Sequence, residues 1–210
     1  RALEISKFKF VSEQKDDMVG RELPTNIKKV YSDATYKGVI NNLNLKLNEE
    51  TEFYNFANKS LYSFVGYIPQ SLGIFIGRIL NVSIYFQTIL GKMCNFIIFV
   101  LLIYFSIKKI PYKKELIMFI ALLPITMQEA TSLSPDSITI ASSIALISFI
   151  VWARHEKIQF NLKHYTIMYT LVFILSLCKI IYLPFCFMIF LIDKENFKNN
   201  RIKMINCILL

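Results

Sequence analysis

Charged residues, glycine and proline are all scarce in this chain of 210 residues. Asp, Glu, Lys and Arg together make up 19% of the sequence, whereas an average soluble domain has about 25%. The six glycines and six prolines exclude a collagen-like chain. Hydrophobic residues make up 54%, which excludes a disordered chain and argues against an ordinary soluble enzyme.

Residues that support metal or nucleophile chemistry are also few. The four cysteines lie in apolar surroundings without a C-x-x-C spacing, so we interpret them as small buried hydrophobes rather than disulfide partners or metal ligands. They are Cys94, Cys178, Cys186 and Cys207. The two histidines, His155 and His164, flank a basic loop and predict no metal site. The sequence contains no phosphate-binding glycine loop, dinucleotide glycine pattern or nucleophile elbow.

Long apolar runs dominate the second part of the sequence. A membrane-spanning helix needs about 20 mostly apolar residues. Runs of this length occupy residues 86–107, 115–133 and 135–153. A fourth run, residues 164–192, is too long for one span and short for two. We therefore predict that it forms a hairpin of two short helices, which meet near Lys179 to Pro184.

These runs divide the chain into three predicted parts. Residues 1–66 form an extracytoplasmic loop of mostly irregular or helical structure, in which the spacing of apolar residues over 48–62 is compatible with a helix. Residues 67–85 contain a short helix that is too short to span and is embedded in the outer side of the membrane or lies at its surface. Residues 86–210 form the transmembrane region, with a further span from residue 205. The predicted fold class is an all-α, polytopic membrane helical bundle.

The positive charge of the chain is concentrated in the loops between the apolar runs. Residues 67–210 contain 14 Lys and Arg against 6 Asp and Glu, a net charge of +8 out of a total of +9. Cytoplasmic loops collect Lys and Arg, so we predict that residues 107–114, 154–163 and 193–204 are cytoplasmic. Confinement of the charge to short loops indicates membrane lipids, and not nucleic acid, as the partner.

Several polar side chains fall at the predicted outer face of the membrane. Ionisable residues at membrane depth are costly and by default face a cavity, a partner or a substrate. Lys179 is the clearest case because apolar residues flank it; it can pair with Asp136 as a structural link or hold a phosphate as a point charge. Asp136 also begins a predicted helix, where the helix dipole alone favours an acid. The other candidates are Tyr67, Gln70, Arg78 and Tyr182.

Four short motifs occur in order along the chain. They are Arg1–Ile5; Tyr62 with Tyr67–Ile74 and Gly77-Arg78; Leu123-Pro124 with Ser132–Asp136; and Lys179–Pro184. In order and spacing they resemble the signatures of a bacterial family of polytopic membrane proteins, the domain of unknown function 2142. The chain departs from this pattern at Phe64, where the family often has a proline.

This family is similar to glycosyltransferases of the GT-C architecture. The resemblance implies a membrane enzyme that transfers a sugar from a polyprenyl-phosphate carrier to an envelope glycan or lipid acceptor at the outer face. It implies catalytic roles for Asp136 and Lys179, and substrate contacts for the four other polar residues named above. The catalytic acid of the family would precede Arg1, so we expect the chain to be an internal fragment. The resemblance is compatible with a divalent metal as cofactor, but no residue pattern in the sequence supports one.

The predicted location is the bacterial cytoplasmic membrane, with several crossings. A different class of function fits the same features, because buried charges and broken helices also mark transport paths. The alternative prediction is therefore a non-enzymatic membrane protein, such as a lipid-linked glycan flippase or transporter, or an assembly partner.

Overall fold

The computed structural model describes residues 1–15, 18–28, 35–55 and 63–192. The chain divides into two compact units. Unit 1 comprises Arg1–Ile97 and Thr131–Ser134, and unit 2 comprises Ile98–Ala130 and Pro135–Leu210. Five features of the sequence analysis lie outside the described residues: the end of the predicted helical stretch (residues 56–62), Tyr62, the basic segment 193–204, the span from residue 205, and Cys207.

Unit 1 begins with a short helix and a three-stranded antiparallel sheet. The elements are α1 (Ala2–Ile5), β1 (Glu13–Lys15), β2 (Met18–Pro24), α2 (Tyr36–Asn42) and β3 (Thr51–Asn55), with β2 between β1 and β3 in the sheet. The sheet corrects the all-α prediction for this part of the chain. The helical interpretation of residues 48–62 is wrong over β3. The backbone of β3 forms hydrogen bonds with β2 instead, and a short helix without such partners would be only marginally stable.

The exposed residues of helix α3 (Ile68–Ile79) are apolar, and most of its buried residues are small or polar. It follows a 3₁₀ turn (Phe64–Tyr67), and Pro69 lies in its first turn, where the missing N–H costs little. Its buried side includes Gln70, Ser71, Gly73 and Gly77, and its exposed side includes Ile68, Leu72, Ile76 and Ile79. A row of exposed apolar residues is unusual for the surface helix of a soluble protein. Embedding of α3 in the membrane stays a prediction.

Helix α4 (Ile84–Lys109) packs closely against α3 within unit 1. Gly73 of α3 lies so near the backbone of α4 that a Cβ there would be 2.2 Å from the carbonyl oxygen of Leu90. Gly91 of α4 likewise lies against α3, because a Cβ on Gly91 would be 3.0 Å from the carbonyl oxygen of Gln70. Small residues at such a contact let two apolar helices approach without a side chain between them.

Unit 2 is built around two antiparallel helices. These are α7 (Asp136–His155) and α8 (Leu162–Cys178), preceded by α5 (Lys114–Ala121) and α6 (Pro124–Ala130) and followed by a 3₁₀ helix (Ile180–Leu191). Four large side chains at the centre of the core are fully buried: Leu146, Phe149, Met168 and Leu175. Leu102 and Phe105, from the second part of α4, pack against this core.

The predicted apolar runs correspond to helices of different lengths. Within the described residues, α4 (26 residues) and α7 (20 residues) are long and apolar enough to cross a membrane, and α8 is shorter at 17. The run 115–133 forms α5 and α6 instead of one continuous helix, because Pro124 has no N–H with which to continue α5. The run 164–192 breaks at Lys179, between α8 and the 3₁₀ helix. The number of crossings stays a prediction.

Candidate functional site

Unit 2 brings Asp136 and Lys179 together as an ion pair. The ammonium Nζ of Lys179 lies 2.5 Å from Oδ1 of Asp136. The side chains are partly exposed, 25% for Lys179 and 38% for Asp136. The pair therefore joins the start of α7 to the end of α8.

Local backbone structure explains why both groups stand at this end. Asp136 is the first residue of α7, where a carboxylate is favoured by the positive end of the helix dipole. Helix α8 ends at Lys179, whose backbone is extended (φ −151°, ψ 127°). The amide of Tyr182 then donates a hydrogen bond to the carbonyl of Lys179 at 3.0 Å, and its half-buried ring packs edge-on against Phe185.

The opposite end of the α7–α8 pair is aromatic and basic. Nζ of Lys109 lies 3.4 Å from the ring centre of Trp152, and the ring of Tyr112 lies 5.8 Å from that of His155. The structure thus brings the first two basic loops of the sequence, residues 107–114 and 154–163, to the same end of unit 2. A helix of 20 residues is about 30 Å long, so this end and the ion pair are separated by about the thickness of a hydrocarbon core.

The other three predicted site residues belong to α3 and the turn before it, in unit 1. Tyr67 is buried in a small cluster with Ala2, Ile5 and Ile74. Gln70 is fully buried and donates a hydrogen bond from Nε2 to the carbonyl of Ser134 at 2.8 Å. Arg78 is half-buried and donates from Nη1 to the carbonyl of Ser6 at 3.1 Å. Substrate contact by these residues, and by Tyr182, stays a prediction.

Sequence reasoning missed a second amide that acts beside Gln70. Asn95 of α4 is fully buried and donates a hydrogen bond from Nδ2 to the carbonyl of Ser132 at 3.0 Å. Gln70 and Asn95 together hold the segment Thr131–Ser134 within unit 1. The available signal was a lone amide in the middle of a long apolar run, where a polar group has a specific partner by default.

A buried carboxylate among arginines was also missed. Glu4 has a fully buried side chain whose oxygens lie 3.6 Å from Nη1 of Arg1 and 3.6 Å from Nε of Arg21. Arg21 also pairs with the exposed Glu13 at 3.0 Å. Burial raises the pKa of Glu4 above its usual 4.5, although the positive charges around it act in the opposite direction.

Replacement of Glu4 by Gln is expected to flatten the pH dependence of stability. A folded-state pKa above the unfolded value means that the folded chain holds this proton more tightly, so the free energy of unfolding falls as pH rises from 4.5 through the folded pKa. Chemical denaturation of the detergent-solubilised protein at a series of pH values measures this slope. Glu52→Gln, at an exposed position of β3, is the control; equal slopes in both variants would contradict the prediction.

Comparison with known proteins gives one match. A family model described as "Predicted membrane protein (DUF2142)" matches residues 41–210, which include both helices that are long and apolar enough to cross a membrane. No curated protein and no solved structure matches the chain significantly. The matched region covers most of the chain, and the protein therefore belongs to the DUF2142 family of predicted membrane proteins.

Proposed function

We propose that this membrane protein transfers a sugar from a polyprenyl-phosphate carrier to a glycan or lipid acceptor of the bacterial envelope, at the outer face of the cytoplasmic membrane. The observation that supports the proposal is the ion pair of Lys179 and Asp136. A partly exposed ammonium, held in place by a carboxylate, is a group that can bind the phosphate of a lipid carrier.

The length of α7 and the distribution of charge favour the outer face. If α7 crosses the membrane, its two ends lie at opposite boundaries, because its length of about 30 Å matches the hydrocarbon thickness. The basic loops 107–114 and 154–163 lie at one end, and such loops are typically cytoplasmic. The end with Asp136 and Lys179 would then face outward, where envelope glycans are assembled.

The transfer step needs stabilisation of a leaving phosphate. The acceptor oxygen forms a bond to the anomeric carbon while the bond from that carbon to the phosphate oxygen breaks, and the electron pair stays on the lipid phosphate. The acceptor proton passes to a carboxylate base. An ammonium has three N–H donors, so Lys179 can pair with Asp136 and also donate to the phosphate as its charge develops.

Asp136 is assigned a positioning role in this scheme. Its carboxylate lies against the ammonium of Lys179, so a second carboxylate must serve as the base. Among the described residues, no three His, Cys, Asp or Glu side chains are grouped so as to hold a metal ion. No step of the proposed reaction is assigned to a metal.

Mass spectrometry of envelope glycans tests the proposal. A deletion strain of the source bacterium is compared with the same strain complemented by the full-length protein. We expect one sugar substituent to disappear on deletion and to return on complementation. If every glycan and every lipid-linked sugar is unchanged by deletion, the proposal is wrong.

A further inference from the structure

Three cations meet at the junction between α1 and α3 in unit 1. Arg78 of α3 donates from its guanidinium to the carbonyl of Ser6, directly before Lys7. The turn after α1 closes when the amides of Lys7 and Lys9 both donate to the carbonyl of Glu4, at 2.9 and 3.1 Å. Within the part of the chain that the structure describes, no ion pair of 4.0 Å or less neutralises Lys7, Lys9 or Arg78.

The positive charges of Arg78 and Lys9 act on Lys7 in particular. Partial burial lowers the pKa of its ammonium below 10.5, and the positive charges of Arg78 and Lys9 lower it further. A bound anion would reverse the effect of these neighbouring cations. The contact of Arg78 with the carbonyl of Ser6 places its charge beside Lys7, and this local positive charge is complementary to an anionic ligand.

Exposed apolar side chains neighbour these cations along α3 and the turn after α1. Phe8, between Lys7 and Lys9, is 69% exposed and has a positive φ of 59°, a conformation that is unusual for a phenylalanine. Its ring meets that of Phe75 of α3 at 5.6 Å, edge to face. The outer face of α3 adds further exposed residues, Leu72, Ile76 and Ile79. A ligand that covers both features must combine an anionic head with an apolar chain.

The apolar surface continues onto a helix that can cross the membrane. Helix α3 packs on the first part of α4 through Gly73 and Gly77. Helix α4 exposes large apolar residues in the same unit, namely Phe86, Met93 and Ile97. Since the chain belongs to a family of membrane proteins, a bilayer is the environment that covers such a surface.

We propose that Lys7, Lys9 and Arg78 bind the phosphate headgroup of an anionic phospholipid of the bilayer, while its acyl chain lies along Phe8, Phe75 and the outer face of α3. The cations supply the charge complementarity, and the apolar residues supply the contact with the chain. This site lies wholly in unit 1 and does not depend on sugar transfer. It would fix the depth of α3 at the membrane boundary.

Native mass spectrometry of the full chain in detergent tests this site. The probes are phosphatidylglycerol, phosphatidylcholine with the same acyl chains, and inorganic phosphate. A basic residue near an anionic membrane surface contributes about 1 kcal/mol, so removal of one charge should weaken phosphatidylglycerol binding about fivefold. We expect this loss for Lys7→Gln and for Lys9→Gln, and about 25-fold for both together. Lys37→Gln, at an exposed position of α2, should have no effect.

Each probe gives a result that supports or overturns the site. The Lys7 and Lys9 variants carry the test because Arg78 also holds the carbonyl of Ser6 and its loss would disturb the fold. The proposal would be overturned if Lys7→Gln and Lys37→Gln bound phosphatidylglycerol with equal affinity. It would also be overturned if the Lys7 and Lys9 variants lost phosphatidylcholine binding as strongly as phosphatidylglycerol binding. Phe8→Ser should weaken the binding of phosphatidylglycerol and leave the binding of phosphatidylcholine unchanged. If inorganic phosphate displaces the lipid at millimolar concentration, the site takes a free anion and the lipid assignment is wrong.

Discussion

Replacing Lys179 with alanine is expected to lower the rate of sugar transfer by about 100- to 1000-fold. This is the usual loss when one preorganised donor to a developing negative charge is removed. The full-length protein is assayed in detergent extracts of the complemented deletion strain, with a polyprenyl-phosphate sugar as donor. Lys179→Arg keeps a cation at this position and should retain part of the rate, although its planar group cannot reproduce the ammonium geometry.

Stability separates this role from that of a purely structural ion pair. Asp136 and Lys179 are both partly exposed, and exposed pairs contribute about 0–1 kcal/mol to the free energy of unfolding. We therefore expect Lys179→Ala to leave the thermal stability of the protein almost unchanged. A loss of at most about 1 kcal/mol in the free energy of unfolding leaves most of the protein folded, so it could not explain a 100-fold loss of activity.

The charge-swapped double variant provides the matched control. Asp136→Lys combined with Lys179→Asp restores an ion pair between α7 and α8 but reverses its direction. We expect this variant to fold normally and to remain inactive, because the cation now stands on α7. If the swap restores transfer to the original rate, the pair serves only to join the two helices.

Replacing Gly73 with alanine is expected to give a large loss of stability in unit 1, because it disturbs the packing of α3 on α4. The new methyl carbon would lie 2.2 Å from the carbonyl oxygen of Leu90 and 2.5 Å from its carbonyl carbon. Both atoms belong to the backbone of α4, so no side chain can move aside, and the helices must separate. We expect a loss of about 3 kcal/mol, at the upper end of the range for overpacking. Denaturation of the purified protein in mild detergent measures it.

Two neighbouring substitutions show whether the loss arises from this contact. Gly91→Ala also adds a methyl group between α3 and α4, but its nearest neighbours would be 3.0–3.1 Å away, so we expect a smaller loss. Leu72→Ala removes atoms from the exposed face of α3 and should change stability little in detergent. If Gly73→Ala is no worse than Leu72→Ala, α3 and α4 do not pack as described.

Features with a strong local signal could be predicted from the sequence. The apolar runs around α4 and α7 are long enough to predict helices of membrane-spanning length. Pro124 and Lys179 interrupt the other two runs near the points where helices begin or end. The pairing of Lys179 with Asp136 was among the predicted possibilities, since a cation in an apolar run needs a partner at the same membrane depth.

Features that depend on distant partners could not be predicted. Strand β3 has no alternation of apolar and polar residues, and only its pairing with β2 makes it a strand. The hydrogen bond from Gln70 joins residues 64 positions apart, and no local pattern indicates Ser134 as its acceptor. The environment of Glu4 likewise depends on Arg21, which lies in β2.

Sugar transfer by the purified full-length protein in detergent is the most direct test of the central claim. Polyprenyl-phosphate sugar is added with envelope glycan from the deletion strain as acceptor, and mass spectrometry follows free polyprenyl phosphate and the glycosylated product. We predict that both form together with the wild-type protein and not with Lys179→Ala. A transporter needs two membrane sides and gives no reaction in detergent, so an intact donor in the presence of the wild-type protein and acceptor would contradict the assignment as a transferase.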